Sequence, residues 1–176
     1  DKFNFELTKT KESAGYSIVA IADPQPRGKA HFAKFTGKPL EDLCQTTKGL
    51  ENIAVGLVLG DICWDNLELL ENYKSEIVRT GIPFYPVVGN HDHDRNAQGD
   101  LAASAAYRSS LGPENYAFYL GNDVVIVVDN IIYDTDKKYK EGYADHVLAW
   151  VKKLVDLLPE EADLYIAQHS PLYHWD

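Results

Sequence analysis

Four stretches of the chain end an apolar run on a side chain able to hold a metal ion or move a proton: Asp23, Gly60-Asp61, Gly89-Asn90-His91-Asp92 and His169. The runs are Tyr16 to Ala22, Ala54 to Leu59, Pro83 to Val88 and Ala162 to Gln168. An unbroken apolar run that stops at a polar residue is the pattern of a strand covered on both faces. In open α/β sheets the ligand crevice lies beyond the carboxyl ends of the strands, so Asp, Asp, Asn and His are expected to converge there. Carboxylate and amide oxygens together with imidazole suit a hard to borderline divalent cation.

Each stretch alone has a plainer reading. Asp61 after a strand can cap the next helix, Asp23 before Pro24 can open a turn, and a lone His169 fits a half-buried, hydrogen-bonded histidine. Gly89-Asn90-His91-Asp92 is sharper. The glycine permits a tight turn, Asn90 offers a neutral carbonyl oxygen, and His91 is followed at once by a carboxylate able to orient it. The whole set, in this order and at strand ends, outweighs the separate readings.

The elements that must position these residues follow from the rest of the sequence. A chain of 176 residues supports one domain with a substantial core. The net charge of −10 argues against a non-specific nucleic-acid or anionic-membrane surface. It leaves a phosphate substrate open, because bound cations would dominate the local field. Cys44 and Cys63 have no metal-site spacing and read as free thiols. No apolar stretch reaches membrane-spanning length, and no secretory leader is legible.

Residues 1–12, with the alternating Lys2–Leu7, read as an edge strand or the tail of an upstream domain, and residues 13–176 as the catalytic unit. After the first strand come an irregular helical connection from His31 to Leu50, the strand to Asp61, and a helix over Asn66–Thr80. That helix carries a stripe of Leu67, Leu70, Ile77 and Val78 and is stopped by Gly81. A third strand leads to a short alanine-rich helix over Asp100–Ser110. Asn115–Leu120 and Val124–Asp129, joined by Gly121-Asn122-Asp123, read as a hairpin. A helix over Tyr143–Leu158 and a strand to His169 follow. The pattern gives an α/β fold with a central mixed or two-sheet β core flanked by helices.

These motifs resemble the calcineurin-like metallophosphoesterases, whose series runs Asp-x-His, Gly-Asp, Gly-Asn-His-Asp/Glu, His and Gly-His-x-His. The resemblance extends from Tyr16 to Pro171. Ala22-Asp23-Pro24-Gln25, Asp65-Asn66-Leu67 and Gly112–Phe118 are similar to bacterial multi-domain members, which carry flanking domains and are often exported. The resemblance implies an αββα sandwich of two mixed sheets flanked by helices, its last strands missing from this chain. It also implies two divalent ions (Mn, Fe, Zn or Mg) and hydrolysis of a phosphate mono- or diester by a metal-bridging hydroxide, with a periplasmic or cell-envelope location favoured over a cytoplasmic one. By motif, Asp23 and Gln25 bind the first metal, Asp61 bridges, and Asn90 and His169 bind the second. His91 faces the substrate and protonates the leaving oxygen, with Asp92 holding its tautomer. Arg27 and His93 are candidates for substrate contact. Trp64, Tyr133, Tyr173 and Trp175 are candidates for the cleft wall, although aromatics are more often core.

Two departures from the family pattern bear on chemistry. Gln25 stands where a histidine ligand is usual, which favours harder ions such as Mn²⁺ or Mg²⁺. No Gly-His-x-His follows His169, and His174 is too near His169 to supply it. A metal-poor member acting as a binding module is therefore the competing reading.

Overall fold

The computed structural model describes residues 15–134 and 138–172. The candidate edge strand Lys2–Leu7 and the aromatic pair Tyr173 and Trp175 lie outside them.

Three parallel strands, β1 (Ser17–Ile21), β2 (Ile53–Leu59) and β3 (Phe84–Val87), form one sheet in that order. The chain then makes β4 (Tyr116–Leu120), β5 (Asp123–Val127), a small antiparallel pair β6 (Ile131–Tyr133) and β7 (Tyr139–Glu141), and finally β8 (Leu164–Ala167). In the second sheet β5 is central, antiparallel to β4 and parallel to β8. The helices are α1 (Lys29–Gly37), α2 (Pro39–Thr47), α3 (Leu69–Ile77), α4 (Asp100–Ala103), α5 (Ala105–Leu111) and α6 (Asp145–Val155).

The apolar runs explain the layering. On β5, Val125 and Val127 face β2 and β3, where they meet Val55, Leu57 and Val87. The intervening Val124 and Ile126 face α6 and pack on Val147, Val151 and Leu154. The far side of the first sheet is closed by α3 and α5, through Leu70, Tyr73, Ile77 and Tyr107 packed on Val58 and Val88. A strand with period-2 side chains and two covered faces must be apolar along its covered length, and β5 is so from Val124 to Val127. Gly56 in β2 makes room for Phe84, whose ring would lie 2.3 Å from any Cβ there. The result is a helix–sheet–sheet–helix sandwich, as expected for the fold class.

Boundaries differ from the sequence reading in instructive ways. The irregular connection resolves into α1 and α2, broken at Lys38 (φ −134), because the residue before Pro39 is driven out of the helical region. The third helix begins at Leu69, ends in a 3-10 turn over Val78–Thr80, and stops at Gly81 with φ +69. Its apolar stripe contains Leu69 and Tyr73, while the expected Val78 is 67% exposed. The hairpin of β6 and β7 went unread because its strands are three residues each and β7 is exposed throughout. Cys63 is buried and Cys44 partly so, both as free thiols.

Val125→Ala, in the layer between the sheets, is expected to lower the unfolding free energy by about 2 kcal/mol. Leu148→Ala, at a side chain 49% exposed on α6, should stay within about 0.5 kcal/mol. Urea unfolding followed by circular dichroism distinguishes the two; equal effects would contradict the layering.

Candidate metal centre

The loops after β1, β2 and β3 are tied to one another before any metal is considered. Gln25 N donates to Asp61 O at 3.0 Å, Trp64 N to Pro26 O at 3.2 Å, and Asp65 N to His91 O at 3.2 Å. Two glycines set the spacing. A Cβ on Gly89 would lie 2.2 Å from Asp61 N, and one on Gly60 would lie 2.4 Å from His169 Nδ1. Gly60 also has φ +84, a region that penalises other residues. Among the described residues, the four non-glycines with positive φ are Asp23, Gln25, Asp61 and Asp65, all in these loops. Strain confined to one cluster of loops points to a site that needs those side-chain directions.

Asp61, 2% exposed, lies at the centre. Its Oδ1 accepts from His91 N at 2.9 Å, and its Oδ2 accepts from the Gln25 side-chain amide. His169 Nδ1 lies 2.8 Å from Leu59 O, while Nε2 lies 3.1 Å from Asn90 Oδ1 and 3.4 Å from Asp61 Oδ1. Asp23 joins them: Asp23, Asp61 and His169 bring ligand atoms within 4.8 Å of one another. Five sequence candidates, Asp23, Gln25, Asp61, Asn90 and His169, thus meet at one place.

This donor set fits a divalent cation. The Leu59 carbonyl can only accept, so His169 Nδ1 carries the proton and Nε2 turns a lone pair toward the oxygens of Asn90 and Asp61. Lone pairs then face lone pairs, an arrangement that a cation resolves. Gln25 is turned nitrogen-first toward Asp61, and a half-turn of its amide would present the carbonyl oxygen instead.

His91 sits beside this centre, but Asp92 does not orient it. His91 Nδ1 lies 2.8 Å from Asp65 Oδ1, and Arg95 donates to Asp65 Oδ2 at 2.9 Å. Burial pushes the Asp65 carboxyl up, yet the hydrogen bonds from His91 and Arg95 outweigh it and hold the group below its usual range. Trp64 stacks on the His91 ring at 3.9 Å, and the Arg27 guanidinium lies 4.3 Å from the centroid of that indole. Asp92 is fully buried beneath the loops, accepting from Cys63 N at 3.0 Å and Gly89 N at 2.9 Å. Burial pushes its carboxyl up to about 6 despite those backbone donors. It braces the turn that carries Asn90 and His91.

His93 is also reassigned. At 1% exposure it cannot touch a substrate; it stacks on Tyr133 at 4.7 Å with Nδ1 2.9 Å from Gly89 O. Tyr133 is buried too and donates to Asn90 O at 2.7 Å. Arg27 is exposed at the rim, as a substrate contact requires. The sequence reading missed Asn130, whose amide donates to Ser170 O at 2.7 Å and accepts from Ser170 N at 3.1 Å, fixing the backbone just after His169. Its signal was two polar residues, Asp129 and Asn130, closing an unbroken apolar run.

Asp65→Asn is expected to redistribute the His91 imidazole tautomers seen in long-range ¹H–¹⁵N spectra, with little loss of stability. Asp92→Asn should leave that tautomer in place and lower the unfolding free energy by about 2 kcal/mol, since an amide cannot accept on both sides. The reverse pattern would restore Asp92 as the orienting group.

Comparison with known proteins agrees with this geometry. No curated protein matches the chain. Among solved structures, a purple acid phosphatase from yellow lupin (Lupinus luteus) seeds superposes with a TM-score of 0.54 at 13% identity, covering 87% of this chain and 29% of that one. That likeness speaks to the fold. The sequence itself matches the calcineurin-like phosphoesterase family over residues 16–176, and the chain belongs to that family.

Proposed function

We propose that this chain hydrolyses phosphate mono- or diesters with the help of two divalent cations. The observation that carries the reading is the convergence of Asp23, Asp61 and His169 within 4.8 Å, beside a histidine whose ring is fixed by a carboxylate. Family membership supports metal-dependent phosphoester hydrolysis in general. Asp23 and Gln25 would hold one cation, Asn90 and His169 the other, and Asp61, whose two oxygens face Gln25 and His169 respectively, would serve both. When bound, the cations supply charge neutralisation for the phosphoryl group and a lowered pKa for water.

The remaining steps belong to side chains of this chain. Asp65 fixes Nδ1 of His91, which leaves Nε2 as the atom available to a substrate. When the ring is protonated, Asp65 balances its charge and Nε2–H is the donor for the departing ester oxygen. Trp64 limits how far the ring can tilt. Arg27 offers guanidinium donors for phosphoryl oxygens at the rim.

A second reading retains one observation. Gln25 presents a donor to Asp61, which pairs the carboxylate without a cation, as a metal-poor binding module would.

Metal analysis of protein purified without chelators decides between the two. Close to two equivalents of Mn, Fe or Zn, lost in Asp61→Asn, is the expected result; none or one would favour the module. With 4-nitrophenyl phosphate and bis(4-nitrophenyl) phosphate as probes, His91→Ala should reduce kcat at least ~100-fold with metal content unchanged. An unchanged rate would remove His91 from the chemistry.

A further inference from the structure

On the Asp65 side of His91 lies a hollow of about 350 Å³ that the proposed hydrolysis leaves unused. It is lined by Asp65, Leu67, His93, Asp94, Arg95 and Asn96. Asp65 belongs to both places: its Oδ1 lies 2.8 Å from His91 Nδ1, and its Oδ2 accepts from Arg95 Nη1 at 2.9 Å. One side chain therefore separates the hollow from the imidazole that would serve the departing ester oxygen. The alcohol half of an ester must lie where His91 can reach its oxygen, and so beside the residues that flank His91.

The wall is held in shape before anything binds. Asp94 N donates to Ala103 O at 2.7 Å, Ala97 N to Asp94 O at 3.1 Å, and Asn96 N to Asp94 Oδ1 at 2.9 Å. His93 closes the hollow from beneath, tied to Gly89 O and stacked on Tyr133. Polar groups are left over. Among the described residues, no partner reaches Arg95 Nη2, Asp94 Oδ2 or the Asn96 side-chain amide. Arg95 can only donate, the Asp94 carboxylate can only accept, and Asn96 does both. Leu67 adds one apolar surface. Burial keeps His93 neutral. The charges are then those of Asp65 and Asp94 against that of Arg95, which leaves the wall one charge negative.

We infer that this hollow receives the alcohol half of the substrate, and that the substrate is a phosphate ester of a small uncharged polyol, of the size of glycerol or a single sugar. The inference rests on the hydrolysis proposed above and names its substrate class. A hydroxyl both donates and accepts, which suits a wall that mixes donors with acceptors. An alcohol bearing a carboxylate or a second phosphate would meet net negative charge, with Arg95 already committed to Asp65. The volume lies at the low end of the roughly 300–1,000 Å³ typical of small-molecule sites, so the alcohol is small. In the reaction the oxygen of water bonds to phosphorus and the P–O bond to the alcohol breaks. The proton on His91 Nε2 goes to the departing oxygen, and a proton of that water replaces it. A neutral polyol is left in the hollow.

Glycerol 3-phosphate and 3-phosphoglycerate test this, because their alcohol halves are alike in size and differ by a hydroxymethyl group against a carboxylate. In metal-loaded protein, kcat/KM should be at least ~10-fold higher for glycerol 3-phosphate. Asn96→Ala, at an exposed side chain, should lower kcat/KM for glycerol 3-phosphate about fivefold relative to 4-nitrophenyl phosphate. Asp94→Asn keeps an oxygen for Asn96 N, and should narrow the preference for the glycerol ester about fivefold. Inorganic phosphate has no alcohol half and should inhibit both variants with the parent Ki; a raised Ki would place these residues at the phosphoryl group and overturn the subsite. Equal rates on the two esters, a preference for the glycerate ester, or a preference that neither substitution changes would also overturn it, while turnover of 4-nitrophenyl phosphate leaves hydrolysis standing. No turnover of any ester by protein holding two equivalents of metal overturns hydrolysis itself, and the subsite with it.

Discussion

The approach of three backbone loops at Gly60 and Gly89 is the constraint on which the rest depends. Asp61 N lies where a side chain on residue 89 would begin, and His169 where one on residue 60 would. Because those side chains are missing, β2, β3 and β8 can end at one point and place Asp61, Asn90 and His169 in a common cluster. The cost is local. Four non-glycine residues adopt positive φ in these loops, each at roughly 1–3 kcal/mol. What offsets it is the two-faced burial of β5 and β2 and the hydrogen bonds that Asp92 draws from the loops above it.

Much of this was legible in the sequence, because the signals were ones that physics makes local. Unbroken apolar runs announced the two-sided strands, and the polar residue ending each run announced the site. Asn115–Asp129 gave its hairpin away through Gly121. What was not legible depends on distance through space. Asp92 follows His91 directly and was expected to orient it, yet its side chain points inward to Cys63 N and Gly89 N. The partner proved to be Asp65, 26 residues earlier, turned by a φ of +54 that no propensity foretells. His93 was expected to contact substrate; it is buried because Tyr133, far along the chain, covers it.

Adjacent residues in one tight turn therefore do opposite work. His91 and Asp92 share a 3-10 turn over Asn90–Asp92. In so tight a turn successive side chains point in different directions, and only one of the pair can reach the open side. The half-buried position goes to the imidazole and the fully buried one to the carboxylate, which backbone N–H groups can hold in place at moderate cost. Had the order been reversed, a histidine beneath the loops would have had only one acceptor to offer the two N–H groups that Asp92 satisfies.

The histidines His169 and His93 extend the same logic. Each has Nδ1 against a backbone carbonyl at a strand end, Leu59 O and Gly89 O, at 2.8 and 2.9 Å. That contact fixes the tautomer and turns Nε2, lone pair outward, toward oxygen acceptors. At His169 the acceptors are Asn90 and Asp61, in a cluster whose Asp23 is exposed; at His93 the acceptor is Asp129, in the interior. A backbone carbonyl is an acceptor with no alternative role, so it dictates which nitrogen is free more firmly than any titratable partner could. One sequence-independent contact, used twice, thus fixes which nitrogen each of the two histidines turns toward the side chains around it.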